Sequence, residues 1–280
     1  MNINASQVTS DVKYVLQEDI GDGDVTAALL PAHLVVKAEL ISREPMLVCG
    51  QNWVNEVFNQ VDNKIEIEWH VSEGAWLDSP GLLCTLHGTA RSILTAERSA
   101  LNFLQTLSAT ATQTYHYVQK LQGSKTKLLD TRKTLPGLRF AQKYAVLCGG
   151  GINHRMGLYD AFLIKENHIK ACGSVATAIS LARNTDKHLL VEVEVETLDE
   201  LREALDAHPD RILLDNFSLE MLSQAVKMNH PKYCELEASG GVTFENIDEI
   251  ARTGVDFISV GAITKSIKAI DLSLLVREVL

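Results

Sequence analysis

The chain has 280 residues, 46% hydrophobic and 22% charged, an ordinary globular composition with enough apolar material for a large core. Its net charge of −10 argues against a nucleic-acid partner or an anionic membrane surface, and its apolar runs fall well short of bilayer length. Residues 1–13 lack the basic-then-apolar layout of a secretory signal. Five widely spaced cysteines (Cys49, Cys84, Cys148, Cys172 and Cys234) contain no CxxC pair and read as reduced thiols, so a cytoplasmic protein is expected.

In chain order, Ala38–Ile41, Lys64–His70 and Gly81–Thr85 read as strands bounded by Gly, Pro and Asn. Ala90–Leu121 reads as one or two helices, with Leu94, Leu101, Leu104 and Leu107 at helical spacing. A regular alternation follows. Short β-rich runs occur at Lys127–Asp130, Ala161–Ile164, Leu189–Val195, Arg211–Asp215, Cys234–Ala238 and Asp256–Val260. Helical patterns stand between them at Leu198–Ala207, Ser218–Met228 and Phe244–Arg252. Such alternation indicates parallel βαβ units, in an α/β barrel or a doubly wound sheet. Polar residues follow strand after strand: Thr131-Arg132-Lys133, Lys165-Glu166-Asn167, Glu194 with Glu196, Asp215-Asn216, Ser239-Gly240-Gly241 and Gly261. A barrel builds its site on that face from every strand, whereas a doubly wound sheet concentrates it at one switch point. The distribution favours the barrel.

The charge is unevenly placed. Between Arg132 and Lys170 stand seven basic residues and two acids, a local +5 that leaves −15 for the rest. Within this stretch Arg132, Lys133, His154, Arg155 and Lys165 follow strands or a Gly-rich loop. Arg suits bidentate carboxylate recognition and Lys acts as a compact charge for phosphate or carboxylate. Arg139 and Lys143 read as helix residues and surface charges. Val191 to Glu196 alternates valine with carboxylate, so a strand there turns three acids to one face. Those acids face either solvent on an edge strand or the barrel interior and mouth. Glu194, with Asp215 on the next strand, is placed to share a hard divalent ion with a diphosphate. The turns Ser239-Gly240-Gly241 and Gly261-Ala262 allow backbone N–H groups to approach phosphate oxygens. Thr243 reads as an N-cap aimed at the same anion. Arg98, by its surroundings alone, reads as an intrahelical or surface charge.

Together these residues resemble quinolinate phosphoribosyltransferases. The resemblance is carried by Asp130-Thr131-Arg132-Lys133-Thr134, Pro136 to Arg139, Gly149-Gly150-Gly151 with His154 to Leu158, and Leu163 to His168. It continues through Glu192 to Val195, Leu214 to Phe217, Glu237 to Gly241 and Ser259 to Gly261, with Glu18 to Thr26 and Glu97 to Gln105 earlier. It implies an N-terminal α/β sandwich domain over residues 1–107, joined by 267–280, and a seven-stranded, TIM-barrel-like α/β barrel over 108–266. It implies quinolinate and phosphoribosyl pyrophosphate as substrates, Mg²⁺ as cofactor, and nicotinate mononucleotide, pyrophosphate and carbon dioxide as products. The implied assembly is a homodimer or larger, with Arg98 donated across the subunit interface. Arg132, Lys133, His154, Arg155 and Lys165 then surround the dicarboxylate, Glu194 and Asp215 hold the metal and ribose side, and Ser239, Gly240, Gly241 and Gly261 bind phosphate. Lys133, Lys165, Glu194 and Asp215 are the expected catalytic residues. Two departures, Ser108 to Thr112 and Gln142, lie away from these charges. The rival readings are a relative acting on another ring such as nicotinate, and a non-catalytic phosphate-ligand binder on the same scaffold. Five basic candidates favour a dicarboxylate, and the intact acidic pair argues against a pure binder.

Overall fold

The computed structural model describes residues 3–280. In chain order, α1 (Ala5–Ile20) is followed by β1 (Val35–Ser42), β2 (Met46–Leu47), α2 (Gln51–Val61), β3 (Glu66–Trp69), β4 (Trp76–Leu77) and β5 (Gly81–Thr89). Next come α3 (Ala90–Lys120), β6 (Lys127–Leu129), α4 (Arg139–Cys148), β7 (Ala161–Ile164), α5 (Glu166–Cys172) and α6 (Val175–Thr185). The chain continues with β8 (Leu190–Val195), α7 (Leu198–Asp206), β9 (Arg211–Asp215), α8 (Leu219–Met228) and β10 (Glu235–Ser239). It ends with α9 (Ile247–Arg252), β11 (Phe257–Ser259), α10 (Ala262–Lys265) and β12 (Leu272–Val279).

Two compact units result. Among the described residues, one gathers 3–115, 135–150 and 266–280; the other gathers 116–134 and 151–265. The first therefore takes residues 108–115 and α4, which lie inside the expected 108–266 segment. Its antiparallel sheet runs β12-β1-β5-β3. Against the sheet lies a core that includes Val8, Val12 and Leu16 of α1, Trp53, Val57 and Phe58 of α2, and Leu101, Leu104 and Leu107 of α3. α3 is a single helix; Ile93 is buried in its first turn and Leu94 is exposed, so the stripe begins one residue earlier than the leucine spacing suggests. Lys143 of α4 is wholly buried, not a surface charge. Gln142, also buried, accepts from Leu135 N–H through Oε1 at 2.8 Å and donates through Nε2 to Thr110 Oγ1 at 3.2 Å.

The second unit is a parallel sheet ordered β6-β11-β10-β9-β8-β7 with helices between its strands. Caps start the helices where the sequence supplies oxygen side chains: Ser174 for α6, Thr197 with Glu200 for α7, and Ser218 for α8. The seventh strand is reduced to Ile152, which bridges Leu129 in parallel: its N–H donates to Leu128 O at 2.8 Å and its carbonyl accepts from Asp130 N–H at 3.1 Å. The outward faces of the strands supply Val191, Val193, Val195, Ile212, Leu214, Leu236, Ala238 and Ile258, all buried. The register sets Glu194 beside Leu213, Leu213 beside Glu237, and Asp215 beside Ser239. Inward-facing positions thus form successive levels, with polar groups at the C-terminal ends.

Candidate active site

The C-terminal ends of the parallel strands open into a cavity of about 440 Å³ lined by Thr131, Arg132, Lys133, His154, Arg155, Leu163, Lys165, Glu194, Leu213, Asp215, Glu237, Ser239 and Ser259. Eight of the residues singled out from the sequence meet there. Gly240, Gly241 and Gly261 line a neighbouring cavity of about 270 Å³ together with Lys133 and Ser239. Arg98 belongs to the first unit, exposed on α3. Glu196, expected at the mouth, lies past the end of β8 and is exposed.

The cationic wall is positioned from below. Buried Asp130, just past β6, accepts from His154 N–H at 2.8 Å and from Asn153 Nδ2 at 2.6 Å, which fixes the loop after Ile152. Asp160 accepts from Met156 N–H at 2.6 Å and Gly157 N–H at 2.9 Å, closing the next turn. Arg155 is held between them, and its Nη1 donates to Ala161 O at 3.4 Å. Burial, then the neighbouring Arg132 cation, draws the Arg155 pKa down, while Glu192, Asp160 and Glu194 push it up. Two guanidiniums thus share one partly buried wall, which makes it cationic. Lys133 follows β6; Thr264 Oγ1 donates to its carbonyl at 2.7 Å, and its side chain lies over Gly261, where an added Cβ would stand 3.0 Å from Lys133 Cδ.

Opposite stand the acids. Lys165 Nζ is hydrogen-bonded to Glu194, which ties the end of β7 to the end of β8. Asp215 is steadied by Asn216 Nδ2, which donates to it at 2.9 Å. Asn216 adopts φ +56 and donates its N–H to Ser239 O at 2.9 Å. Gly240 backs onto it with φ +82, and a Cβ there would lie 2.2 Å from Asn216 Oδ1. Glycine is thus required twice over, by dihedral angle and by close approach. Thr243 caps no helix: its N–H donates to Asn246 Oδ1 at 2.8 Å, and α9 begins only at Ile247. Phe244, expected within that helix, instead packs edge-on against Tyr117. The turn after β10 therefore has no helix end directly behind it, whereas Gly261 stands immediately ahead of α10 and accepts from Thr264 and Lys265 N–H.

At the floor of the pocket lies a polar core; an inward-facing Glu192 is one of the two readings of its strand, but its partners were not foreseen. Glu192 and Glu237 are both wholly buried. His154 Nε2 stands 2.9 Å from Glu192 and 3.6 Å from Glu237, and Arg211 Nη1 stands 3.4 Å from Glu237. Burial pushes Glu192 up to about 7, against the pull of Arg211. Burial and the adjacent Glu192 push Glu237 up to about 8. Arg155 N–H donates to His154 Nδ1 at 2.7 Å, so the imidazole proton sits on Nε2, facing the acids. A cation bound at Nε2 would need the opposite tautomer. The trio is accordingly a buried polar support for the wall. The available signal was the alternation Glu235-Leu-Glu237-Ala-Ser239, the same pattern as Val191 to Glu196.

A parallel barrel that brings turn amides and lysines beside two arginines, with an acidic pair on the same rim, has the set of groups a phosphoribosyltransferase type of site requires. Residues 110–275 match the C-terminal domain of quinolinate phosphoribosyl transferase and residues 24–108 its N-terminal domain. The chain is 39% identical over 273 residues to a probable nicotinate-nucleotide pyrophosphorylase (carboxylating) of Bacillus subtilis, covering 97% of this chain and 94% of that one. It is 42% identical over 271 residues to the nicotinate-nucleotide pyrophosphorylase (carboxylating) of Mycobacterium leprae, covering 94% and 95%. The solved nicotinate-nucleotide pyrophosphorylase of Francisella tularensis superposes with a TM-score of 0.95 at 51% identity, covering 99% of this chain and 98% of that one. This chain belongs to the quinolinate phosphoribosyltransferase family.

Proposed function

We propose that the protein transfers the phosphoribosyl group of phosphoribosyl pyrophosphate to quinolinate with loss of carbon dioxide, giving nicotinate mononucleotide and pyrophosphate. One observation carries this reading: Arg132, Arg155 and Lys165 face the same cavity as Glu194 and Asp215. A doubly negative ring and a ribose diphosphate therefore find complementary walls within bonding reach of each other.

The two arginines and Lys165, with His154 supporting their wall through Arg155 N–H, orient the two carboxylates so that the pyridine nitrogen meets C1′. Lys133 and the amides of Gly240, Gly241 and Gly261 take up charge on the phosphates, with Ser239 beside them. Glu194 and Asp215 are oxygen donors on adjacent strands toward one cavity, a set that suits a hard divalent ion completed by diphosphate and water. Bound there, Mg²⁺ would neutralise the leaving diphosphate. The same carboxylates favour the positive charge that develops at C1′ as its bond to pyrophosphate oxygen breaks. Ribosylation makes the ring nitrogen cationic, and that cation stabilises the carbanion left when the adjacent carboxylate departs as carbon dioxide; the carbanion then takes a proton from solvent. Decarboxylation thus follows transfer. Too tight a grip on that carboxylate would stabilise the ground state, which fits recognition shared among several half-buried cations.

The test is carbon dioxide release from carboxyl-labelled quinolinate. Release that requires both phosphoribosyl pyrophosphate and Mg²⁺ is expected. Pyrophosphate release with nicotinate and none with quinolinate would overturn the dicarboxylate assignment. A homodimer with Arg98 of one subunit reaching the other's site, and a cytoplasmic location, complete the proposal. Among the described residues, no helix is long and apolar enough to cross a membrane.

A further inference from the structure

The first unit holds two thiols for which the transfer reaction has no use. Cys49 is buried just ahead of α2, and Cys148, half-buried, ends α4. One ligand atom from each of Cys49, Glu73 and Cys148 lies within 4.8 Å of the other two. That grouping resembles a metal site, but the carboxylate is already committed. Glu73 Oε1 accepts from Gly50 N–H at 2.9 Å and from Tyr144 Oη at 3.0 Å, and Oε2 accepts from Gln51 N–H at 3.1 Å. Glu73 thereby serves the start of α2 and ties Tyr144 of α4 to it. What remains is a pair of facing sulfurs, short of the four donors a structural zinc requires.

We propose that Cys49 and Cys148 are a redox pair that closes reversibly to an intramolecular disulfide when the protein meets hydrogen peroxide. The two thiols are unlike. The hydrogen bond with Cys49 holds the Cys148 thiol below its ordinary value against the opposing effect of burial, and the Tyr144 phenol lowers it further. Burial pushes Cys49 well up. Cys148 is thus the more ionised and more accessible sulfur, and Cys49 the resolving partner. Elsewhere burial pushes Cys84 up to about 12 and Cys234 up to about 11, so neither competes.

In the first step the Cys148 thiolate attacks one peroxide oxygen. An S–O bond forms, the O–O bond breaks, and the departing hydroxide takes a proton to become water. In the second step Cys49 sulfur attacks Cys148 sulfur. The S–S bond forms, the S–O bond breaks, and the Cys49 thiol proton leaves with the hydroxyl as a second water. Two thiols are oxidised and one peroxide is reduced. A dithiol reverses the reaction by exchange. The bond would join the end of α4 to the residue before Gly50, at the start of α2.

The experiment treats the full chain with a few equivalents of hydrogen peroxide, counts thiols after denaturation, and maps peptides by mass spectrometry without reduction. Loss of two of the five thiols, a single linked peptide joining Cys49 to Cys148, and full recovery with dithiothreitol are expected. Cys148→Ser should retain its four remaining thiols, and Cys49→Ser should leave a sulfenic acid on Cys148 that dimedone traps. The native chain decides the matter even if the buried Cys49→Ser variant fails to fold. Oxidation at half-buried Cys172 before Cys148, or sulfinic acid on Cys148 with no linked peptide, would overturn the pair.

Discussion

Arg155 touches both sides of the wall it stands in: it donates to Ala161 O on β7 and lines the substrate cavity. Replacing it with alanine should lower kcat/KM for quinolinate at least about tenfold, mostly through KM, because a charge-assisted contact to a carboxylate is lost. Initial rates at varied quinolinate check this, and unchanged kinetics in a folded variant would remove Arg155 from the site. Glu194→Gln keeps the shape of the side chain but removes its charge and its ion pair with Lys165. Its kcat should fall by roughly 10²–10³, the usual loss for one electrostatic group at a reacting centre, with a higher Mg²⁺ concentration needed for half-maximal rate. These charges were legible in the sequence because they stand at or just beyond strand ends, or after the Gly-rich loop. An inward Glu192 is only one of two readings of its strand, and its pairing with Glu237 was not legible. A single sequence cannot tell an acid on a solvated edge from one inside a barrel, and their partners come from distant strands. Lys143 was misread for the same reason: a helix periodicity does not reveal which face is covered.

At the scale of elements, the turn after β10 is the most constrained piece of backbone in the site. Gly240→Ala places a Cβ against Asn216 at a left-handed φ, a strain of about 1–3 kcal/mol. Thermal unfolding should show that loss, and KM for phosphoribosyl pyrophosphate should rise more than KM for quinolinate. The buried acids make β8 and β10 sensitive to pH. Glu237 holds its proton up to about 8 in the folded chain, whereas an unfolded glutamate releases it near about 4.3. The folded state binds more protons between these limits. The contribution is therefore complete below the lower value and is lost as pH rises through the upper one. Tm measured from about pH 5 to 9 should fall less steeply in Glu237→Gln than in the native chain; parallel curves would show that Glu237 does not titrate there. The six barrel strands were legible because hydrophobic runs and polar ends recur together. α1 was missed because its surroundings are polar and only Val8, Val12 and Leu16 are buried. β12 was missed because its partner, β1, lies at the opposite end of the chain. α9 starts late because Asn246, not Thr243, organises the preceding turn.

For the whole molecule, the proposed sharing of Arg98 between subunits makes a sharp prediction. Arg98→Ala and Arg155→Ala homodimers should each be nearly inactive. Unfolded together and refolded, they should regain roughly a quarter of native activity, since half of random dimers are mixed and each mixed dimer holds one intact site. No regain, with mixed dimers demonstrated by mass, would place Arg98 outside the partner's site. Nothing within one chain's sequence distinguishes such a residue from a surface charge, so only the resemblance pointed to it.

The shortened seventh strand has a consequence for motion. β7 forms its ladder with β8 alone, and on its other flank Arg155 bonds a single carbonyl where a full strand would bond several. A wall closed by a side chain opens more readily than one closed by a ladder. Because that side chain is also proposed to grip the substrate, quinolinate should act as a latch on the barrel. Amides of residues 161–164 should exchange with deuterium quickly in the protein alone and slow markedly when the ring is bound, while those of β9, paired on both flanks, change little.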